Sequence, residues 1–362
     1  MSKLTTVKKR LAIVANTARR FPISKLRKQY RRRDADVVFW LNRRYPDPWW
    51  SYLLRGDSLL NDVALLNAVL DAGHTVRIVS GPKIGALTNS TIVYSIDSYN
   101  PGRVVNYSAG LLATLRELEA QGNTLCPSVA EAEFWENKVH MHRRFDEAGV
   151  NSPPTIAIDA HSDLDEVLAG APFGFPLLVK EPHSNNSQGV HKLDDRAALD
   201  ALRSKLAAEG SHDLLLQGLI DMRRDFRVTM IGGKAVHHYW RINQSEEWMP
   251  TTTRKGSRVD FVTFPEQWRS TIEDAITSLG LRNGAFDVCW EGDDTDGEPI
   301  FLEVSPAYSP NPTPPAAFAE RPYSDFKKQL TGPDSFPRAF VDLVFSLHHK
   351  TVAAWADSLP GR

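Results

Sequence analysis

Residues 284–311, GAFDVCWEGDDTDGEPIFLEVSPAYSPN, constrain this chain more than any other stretch. Two runs rich in apolar and β-branched residues, 285–290 and 300–304, flank a turn-rich middle at 292–297. That pattern predicts an antiparallel hairpin. With a symmetric loop, the numbers of facing residues sum to about 590, which sets Asp287 opposite Glu303 on one face. Directly opposed side chains lie roughly 4.5–5.5 Å apart at Cβ, where like charges destabilise the pair. Both carboxylates also sit inside apolar runs, where an unpaired charge is costly. A hard divalent cation held between them removes both penalties. The pair therefore points to a magnesium site.

A chain of 362 residues can form two or three domains with cores of their own. Its 43 Lys and Arg against 44 Asp and Glu provide no global attraction to nucleic acid or to a membrane surface. Two isolated cysteines, Cys126 and Cys289, form neither a disulfide framework nor a cysteine zinc site, and they fit a reducing compartment. The apolar run after the first basic residues is too short for a signal sequence, and no stretch approaches a membrane span. A cytoplasmic protein is expected.

Residues 11–16 (LAIVAN) read as a buried strand opening an α/β domain. A basic segment, 19–33, follows, either as a solvated face or as an electropositive wall for an anionic substrate. Nucleic acid is disfavoured because the run stands alone. Val37–Leu41 and 75–79 read as further strands, and the aromatic loop 45–50 as a packing, subunit or ligand contact. Ser58 suits the N-cap of an amphipathic helix, and 107–119 reads as another helix. Strand and helix alternate over this part, which predicts a parallel, Rossmann-like sheet, yet no GxGxxG fingerprint is present.

Beyond residue 128 the pattern becomes α+β. Residues 130–148 read as one helix carrying Lys138, then 175–180 as a strand ending in Lys180, followed by the small-residue loop 184–189. Further strands are predicted at 214–220, 226–231 and 235–240, with Gly232-Gly233 as a tight turn, and a terminal helix at 337–356. Backbone N–H groups of the 184–189 loop could close over phosphates beside Lys180. No Walker A or protein-kinase signature exists in the chain.

The order Lys138, Lys180 before its loop, LLQGLI, Asp225-Phe-Arg227-Val, then Asp287 and Glu303 resembles the ATP-grasp superfamily over roughly residues 1–315. It looks most like the RimK-type ligases and, more distantly, D-alanine–D-alanine ligase. The resemblance implies a Rossmann-like pre-ATP-grasp domain over 1–128, followed by a two-lobed ATP-grasp fold. The lobes would span 129–213, with a phosphate flap, and 214–330, with the metal hairpin; a helical segment, 331–362, ends the chain. It further implies that Lys138 and Lys180 contact the ATP phosphates and that the 184–190 loop, with Ser187 and Gly189, forms the flap. Gln217, Gly218, Leu219 and Ile220 would form the adenine hinge, and Asp225 would hold the ribose. Arg241 would stabilise the transferring phosphate. Asp287 and Glu303 would bind Mg2+, or Mn2+ in its place, with Ser305 standing where relatives carry Asn. Asn311 is an alternative ligand if the loop after the hairpin folds back.

The implied activity is ATP-dependent joining of a carboxylate to an amine through an acyl-phosphate. Its partners would be small-molecule acids and amines, amino acids or peptides among them, with no nucleic acid or membrane partner, and a homodimer among the implied assemblies. The alternatives are a phosphotransferase on the same scaffold, for which residues 19–33 would hold a polyanionic acceptor, and a nucleotide-binding protein weakened in catalysis.

Overall fold

The computed structural model describes residues 3–29, 35–42, 56–96, 108–184, 189–245, 248–249, 251, 257–261, 263–318 and 321–361. Three sheets organise them. The first is built from β1 (Val37–Leu41), β2 (Val76–Ser80), β3 (Thr91–Tyr94) and β4 (Thr124–Cys126) in the order β2-β1-β3-β4, all parallel. Residues 11–16 contribute no strand. They lie within helix α1 (Lys3–Ala18), and of the six only Ile13 is fully buried. A short apolar run fits a strand or one helical turn equally well; here neighbouring helical residues extend it. Helices α2 (Ile23–Gln29) and α3 (Gly56–Asp71) follow, so Ser58 falls inside a helix that starts two residues earlier. Helix α4 (Ala109–Ala120) completes the layer on the other side of the sheet, its Leu111, Leu112, Leu115 and Leu118 packed with Ile92 and Tyr94. The aromatic loop 45–50 and part of the basic segment, 30–33, lie outside the described residues.

The predicted helix over 130–148 is interrupted. It consists of α5 (Val129–Ala132) and α6 (Lys138–Ala148), separated where Glu136 takes a left-handed backbone conformation (φ 47°). Asn137 restarts the helix by accepting a hydrogen bond from the backbone N–H of His140 at 3.2 Å. Apolar periodicity continues through the break, which is why the pattern alone does not reveal it.

The second sheet contains β5 (Thr155–Ile158), β6 (Leu177–Lys180), β7 (Val190–Leu193) and β8 (Leu214–Gly218), ordered β5-β8-β6-β7 and antiparallel. Leu177, Val179, Leu214 and Leu216 alternate onto the face covered by α7 (Leu164–Gly170) and α8 (Arg196–Ala208). Period two then turns Lys180 and Gln217 to the opposite face.

The third sheet orders β11-β10-β9-β12-β13, from β9 (Arg224–Ile231), β10 (Lys234–Ile242), β11 (Arg258–Asp260), β12 (Asn283–Cys289) and β13 (Ile300–Ser305). Gly232 and Gly233, at φ 61° and 75°, make the two-residue turn between β9 and β10, as predicted. One face carries Phe226, Val228, Met230, Phe286 and Val288 into a core closed by α6 and by α9 (Arg269–Ser278). Helix α10 (Tyr323–Lys328) and the long α11 (Phe336–Ala354) return to α1 and α3, where Phe340, Val341 and Val344 pack with Ile13, Leu60 and Val63. No helix among the described residues is long and apolar enough to cross a membrane.

Candidate nucleotide and metal site

The hairpin register matches the sequence reading: Asp287 pairs with Glu303, and Ala285 with Ser305. A bulge after Asp287 shifts the pairing, so Val288 faces Phe301. The shift lets Val288, Phe301 and Val304 all reach the core while Asp287 and Glu303 stay on the other face.

That face is a grid of charges set by strand register. Arg227 on β9 is the cross-strand neighbour of Asp287, and Arg241 on β10 is that of Asp225. Arg227 Nη1 donates to Asp287 Oδ1 at 2.7 Å, and Arg241 Nη2 lies 2.9 Å from Asp287 Oδ2. Arg241 also grips Asp225 with two nitrogens, Nε donating to Oδ1 at 2.9 Å and Nη2 to Oδ2. The repulsion expected between Asp287 and Glu303 is thus relieved by two guanidinium groups of the protein itself. Burial works against the charge on Asp287, yet Arg227 and Arg241 hold its carboxyl below the usual carboxylate range. Burial likewise opposes the charge on Arg241, but Asp225 and Asp287 outweigh it. Asp225 is pushed up by its burial against the pull of Arg241.

Lys180 arrives at this grid from the second sheet. Its buried ammonium is pushed down to about 8 by desolvation; Lys138 pushes the same way and Glu303 pulls in the other direction. Lys138, at the first position of α6, is also buried, and its Nζ donates to the Ser184 carbonyl and stands 3.3 Å from Ser184 Oγ. The segment around Ser184 is strapped to the helix break: Lys138 N–H donates to Pro182 O at 3.1 Å, and His183 Nδ1 meets Glu136 O at 2.8 Å. Gly189 closes the loop, and its carbonyl accepts from Glu181 N–H at 2.8 Å. A Cβ there would fall 2.7 Å from Ser184 Oγ and 2.8 Å from Glu181 Cβ, so the approach requires glycine. Ser187 lies outside the described residues.

The predicted hinge divides in two. Gln217 and Gly218 are strand residues inside the second sheet, with Thr155 and Leu178 flanking Gln217. The Gln217 side chain is committed as well, donating to Thr155 Oγ1 at 2.8 Å and lying 3.2 Å from His142 Nε2. Leu219 and Ile220 follow the strand end, half-buried, and form no backbone hydrogen bond among the described residues. Of the four predicted positions, these two lie beyond the ladder of the sheet.

The donors fit a magnesium ion accompanied by phosphate. Glu303 is half-buried and forms no hydrogen bond or ion pair with a described residue, and it and Asp287 offer carboxylate oxygens, the ligand type a hard cation requires. No cluster of three His, Cys, Asp or Glu able to hold a metal exists among the described residues, so further ligands would come from a bound nucleotide and water. Ser305 donates its hydroxyl to Ala307 O at 2.5 Å. Asn311 does not replace it. The loop after β13 does fold back, but Asn311 O meets His237 Nε2 at 2.8 Å and its side chain bonds Tyr239. Tyr239 faces Arg227, three strands from Glu303 and roughly 14 Å away at normal strand spacing.

Two residues, Arg227 and His142, have roles the sequence reading does not assign, and one, Ser184, has a contact it does not name. Arg227 was quoted only as part of a motif, although its register to Asp287 follows once β9 is paired with β12. His142, buried and pushed down to about 3 by desolvation with Lys180 and Lys138 beside it, carries no local signal. Ser184, the contact of Lys138, lies in the loop predicted to close over phosphate.

No protein-family model matches the sequence. The chain is 25% identical over 186 residues to a tetrahydromethanopterin:α-L-glutamate ligase of Methanosarcina acetivorans, a match covering 48% of the chain and 56% of that protein. The chain spans about half the length of the curated relatives it matches. A RimK-domain ATP-grasp protein of Sphaerobacter thermophilus aligns over 85% of the chain and 99% of its own, with a TM-score of 0.50 and 15% identity. D-alanine–D-alanine ligase of Bacillus anthracis aligns over 89% and 99%, with a TM-score of 0.53 and 11% identity. The fold is that of the ATP-grasp proteins, and these similarities bear out the resemblance to that superfamily read from the sequence.

Proposed function

We propose that this protein is an ATP- and magnesium-dependent ligase that joins a carboxylate to an amine through an acyl-phosphate. The observation that carries the reading is the meeting of two buried lysines, neither ion-paired to a described residue, with the charge grid of Arg227, Arg241, Asp225, Asp287 and Glu303. Two unneutralised ammonium groups beside acidic oxygens suit a polyphosphate and its cation.

In this reading the parallel sheet is the pre-ATP-grasp domain. Lys138 and Lys180 hold the phosphates under the loop containing Ser187 and Gly189. Backbone groups of Leu219 and Ile220, at the end of the strand carrying Gln217 and Gly218, receive the adenine. Asp225 takes the ribose hydroxyls, and Arg241 exchanges a carboxylate for the transferring phosphoryl group. Asp287, Glu303 and Ser305 would hold the magnesium, which would supply neutralisation of the phosphate charge. Arg227 holds Asp287 in place. Attack of a substrate carboxylate on the γ-phosphorus yields the acyl-phosphate and ADP; an amine then displaces phosphate to form the amide. No side-chain nucleophile is needed.

The test is ADP release over a panel of amino acids and other acids, with and without a second amine, run in hydroxylamine. Hydroxamate accumulating with the active acid supports the ligase. Turnover that yields a phosphorylated alcohol and never a hydroxamate would establish the phosphotransferase instead.

A further inference from the structure

Helix α1 carries two apolar faces. Ile13 and Thr17 are buried against α3 and α11. On the opposite side Val7, Leu11, Val14 and Ala18 follow the 4-3-4 spacing of a coiled-coil seam. Val7 and Leu11 are 51% and 52% exposed, Ala18 is exposed and Val14 half-buried. Phe21 and Ile23, just past the helix end, are 41% and 54% exposed as well. A seam that sheds water when covered is otherwise unused here.

The flanks of the seam are cationic. Lys8 and Arg10 occupy the two positions bordering it, Arg19 follows, and none of the three makes an ion pair with a described residue. The first 33 residues hold twelve Lys and Arg and no Asp or Glu, in a chain whose total charge nearly cancels. Positions beside a helical seam choose the partner through charge. Two copies of α1 would set cation against cation, which disfavours self-pairing. Exposed aliphatic side chains give nothing to a nucleic acid.

We infer that the outer face of α1 is a docking surface for an acidic amphipathic helix of another polypeptide, its apolar stripe on Val7, Leu11, Val14 and Ala18 and its carboxylates toward Lys8 and Arg10. This surface is independent of the ATP chemistry. The probe is a three-heptad helical peptide with Leu at the seam and Glu at both flanking positions, beside a twin carrying Lys there. Fluorescence anisotropy on the full chain should show saturable binding of the Glu peptide, at least about tenfold tighter than the Lys twin. Val7→Ser with Leu11→Ser should weaken it by about tenfold with the melting temperature unchanged, since both sites are exposed. Lys8→Glu with Arg10→Glu should reverse the preference toward the Lys peptide. Equal binding of both peptides, or none at millimolar peptide, would overturn the inference. So would sedimentation showing a dimer of the chain that Leu11→Ser dissolves, or phosphatidylglycerol vesicles binding where the Glu peptide does not.

Discussion

The two sheets that meet at the candidate site manage buried charge in opposite ways. On the third sheet the two guanidinium groups of the grid each have a carboxylate assigned by cross-strand register: Arg241 with Asp225, and Arg227 with Asp287. On the second, Lys180 is buried with no ion-pair partner among the described residues, and Lys138, at the start of α6 nearby, is buried in the same state and leans on a backbone carbonyl. One side has its guanidinium groups paired and only Glu303 left over, while the other has two unpaired ammonium groups. Removing a partner should therefore hurt the first side in stability and the second in binding.

The largest effect is expected at Asp287. Asp287→Ala leaves Arg227 and half of the Arg241 contact without a buried counter-charge, and should lower unfolding free energy by about 3–5 kcal/mol in a urea titration. A loss under about 1 kcal/mol would mean that the grid is loosely solvated.

Acid should strike next. His142 and His348 are kept neutral by burial, their pKa values lowered from 6.5 to about 3 and about 4. The unfolded chain takes up their protons near pH 6.5 and the folded chain does not. Stability is therefore full above pH 6.5 and falls toward pH 4, by several kcal/mol at roughly 1.4 kcal/mol per unit. Asp287, held low, keeps its stabilising contribution through that window and loses it only at lower pH. His142→Gln and His348→Gln should each flatten the profile measured by thermal melts.

Gly189→Ala comes third, at about 1–3 kcal/mol, because the added methyl meets Ser184. Combining it with Ser184→Gly should recover part of the loss; simple additivity would show that the contact is not its cause. The smallest stability change belongs to Lys180→Met, which removes a buried ammonium of depressed pKa and should leave the melting temperature unchanged or higher. The same variant should weaken ATP binding at least about tenfold by calorimetry. A marked loss of stability would make Lys180 a structural residue and erase the contrast between the sheets.

Much of this site could be read from local pattern. Asp287 and Glu303 were paired by counting across a loop, since a hairpin register depends only on nearby residues. Lys180 was legible as the end of a strand. Arg227 and Arg241 were visible as residues, but their hold on Asp287 depends on three strands meeting in register, which local periodicity does not carry. Residues 11–16 went astray because an apolar run of that length has no period of its own. The interruption at Glu136 was hidden for the reverse reason, as a continuing helical period masks one left-handed residue. Asn311 shows a third limit: the fold-back of its loop was anticipated, but its destination beside Tyr239 is set by packing.

Helix α11 has a consequence for the order in which the protein comes into being. Its Asp342 pairs with Arg20, its His349 with Asp71, and its His348 with Asn61, across some 280 to 320 residues of intervening chain. The core that covers Ile13, Leu60 and Val63 cannot close until residues 336–354 have left the ribosome. While the central sheets are being made, the first helices wait with an apolar flank open to water. What residues 3–71 leave open, residues 336–354 seal.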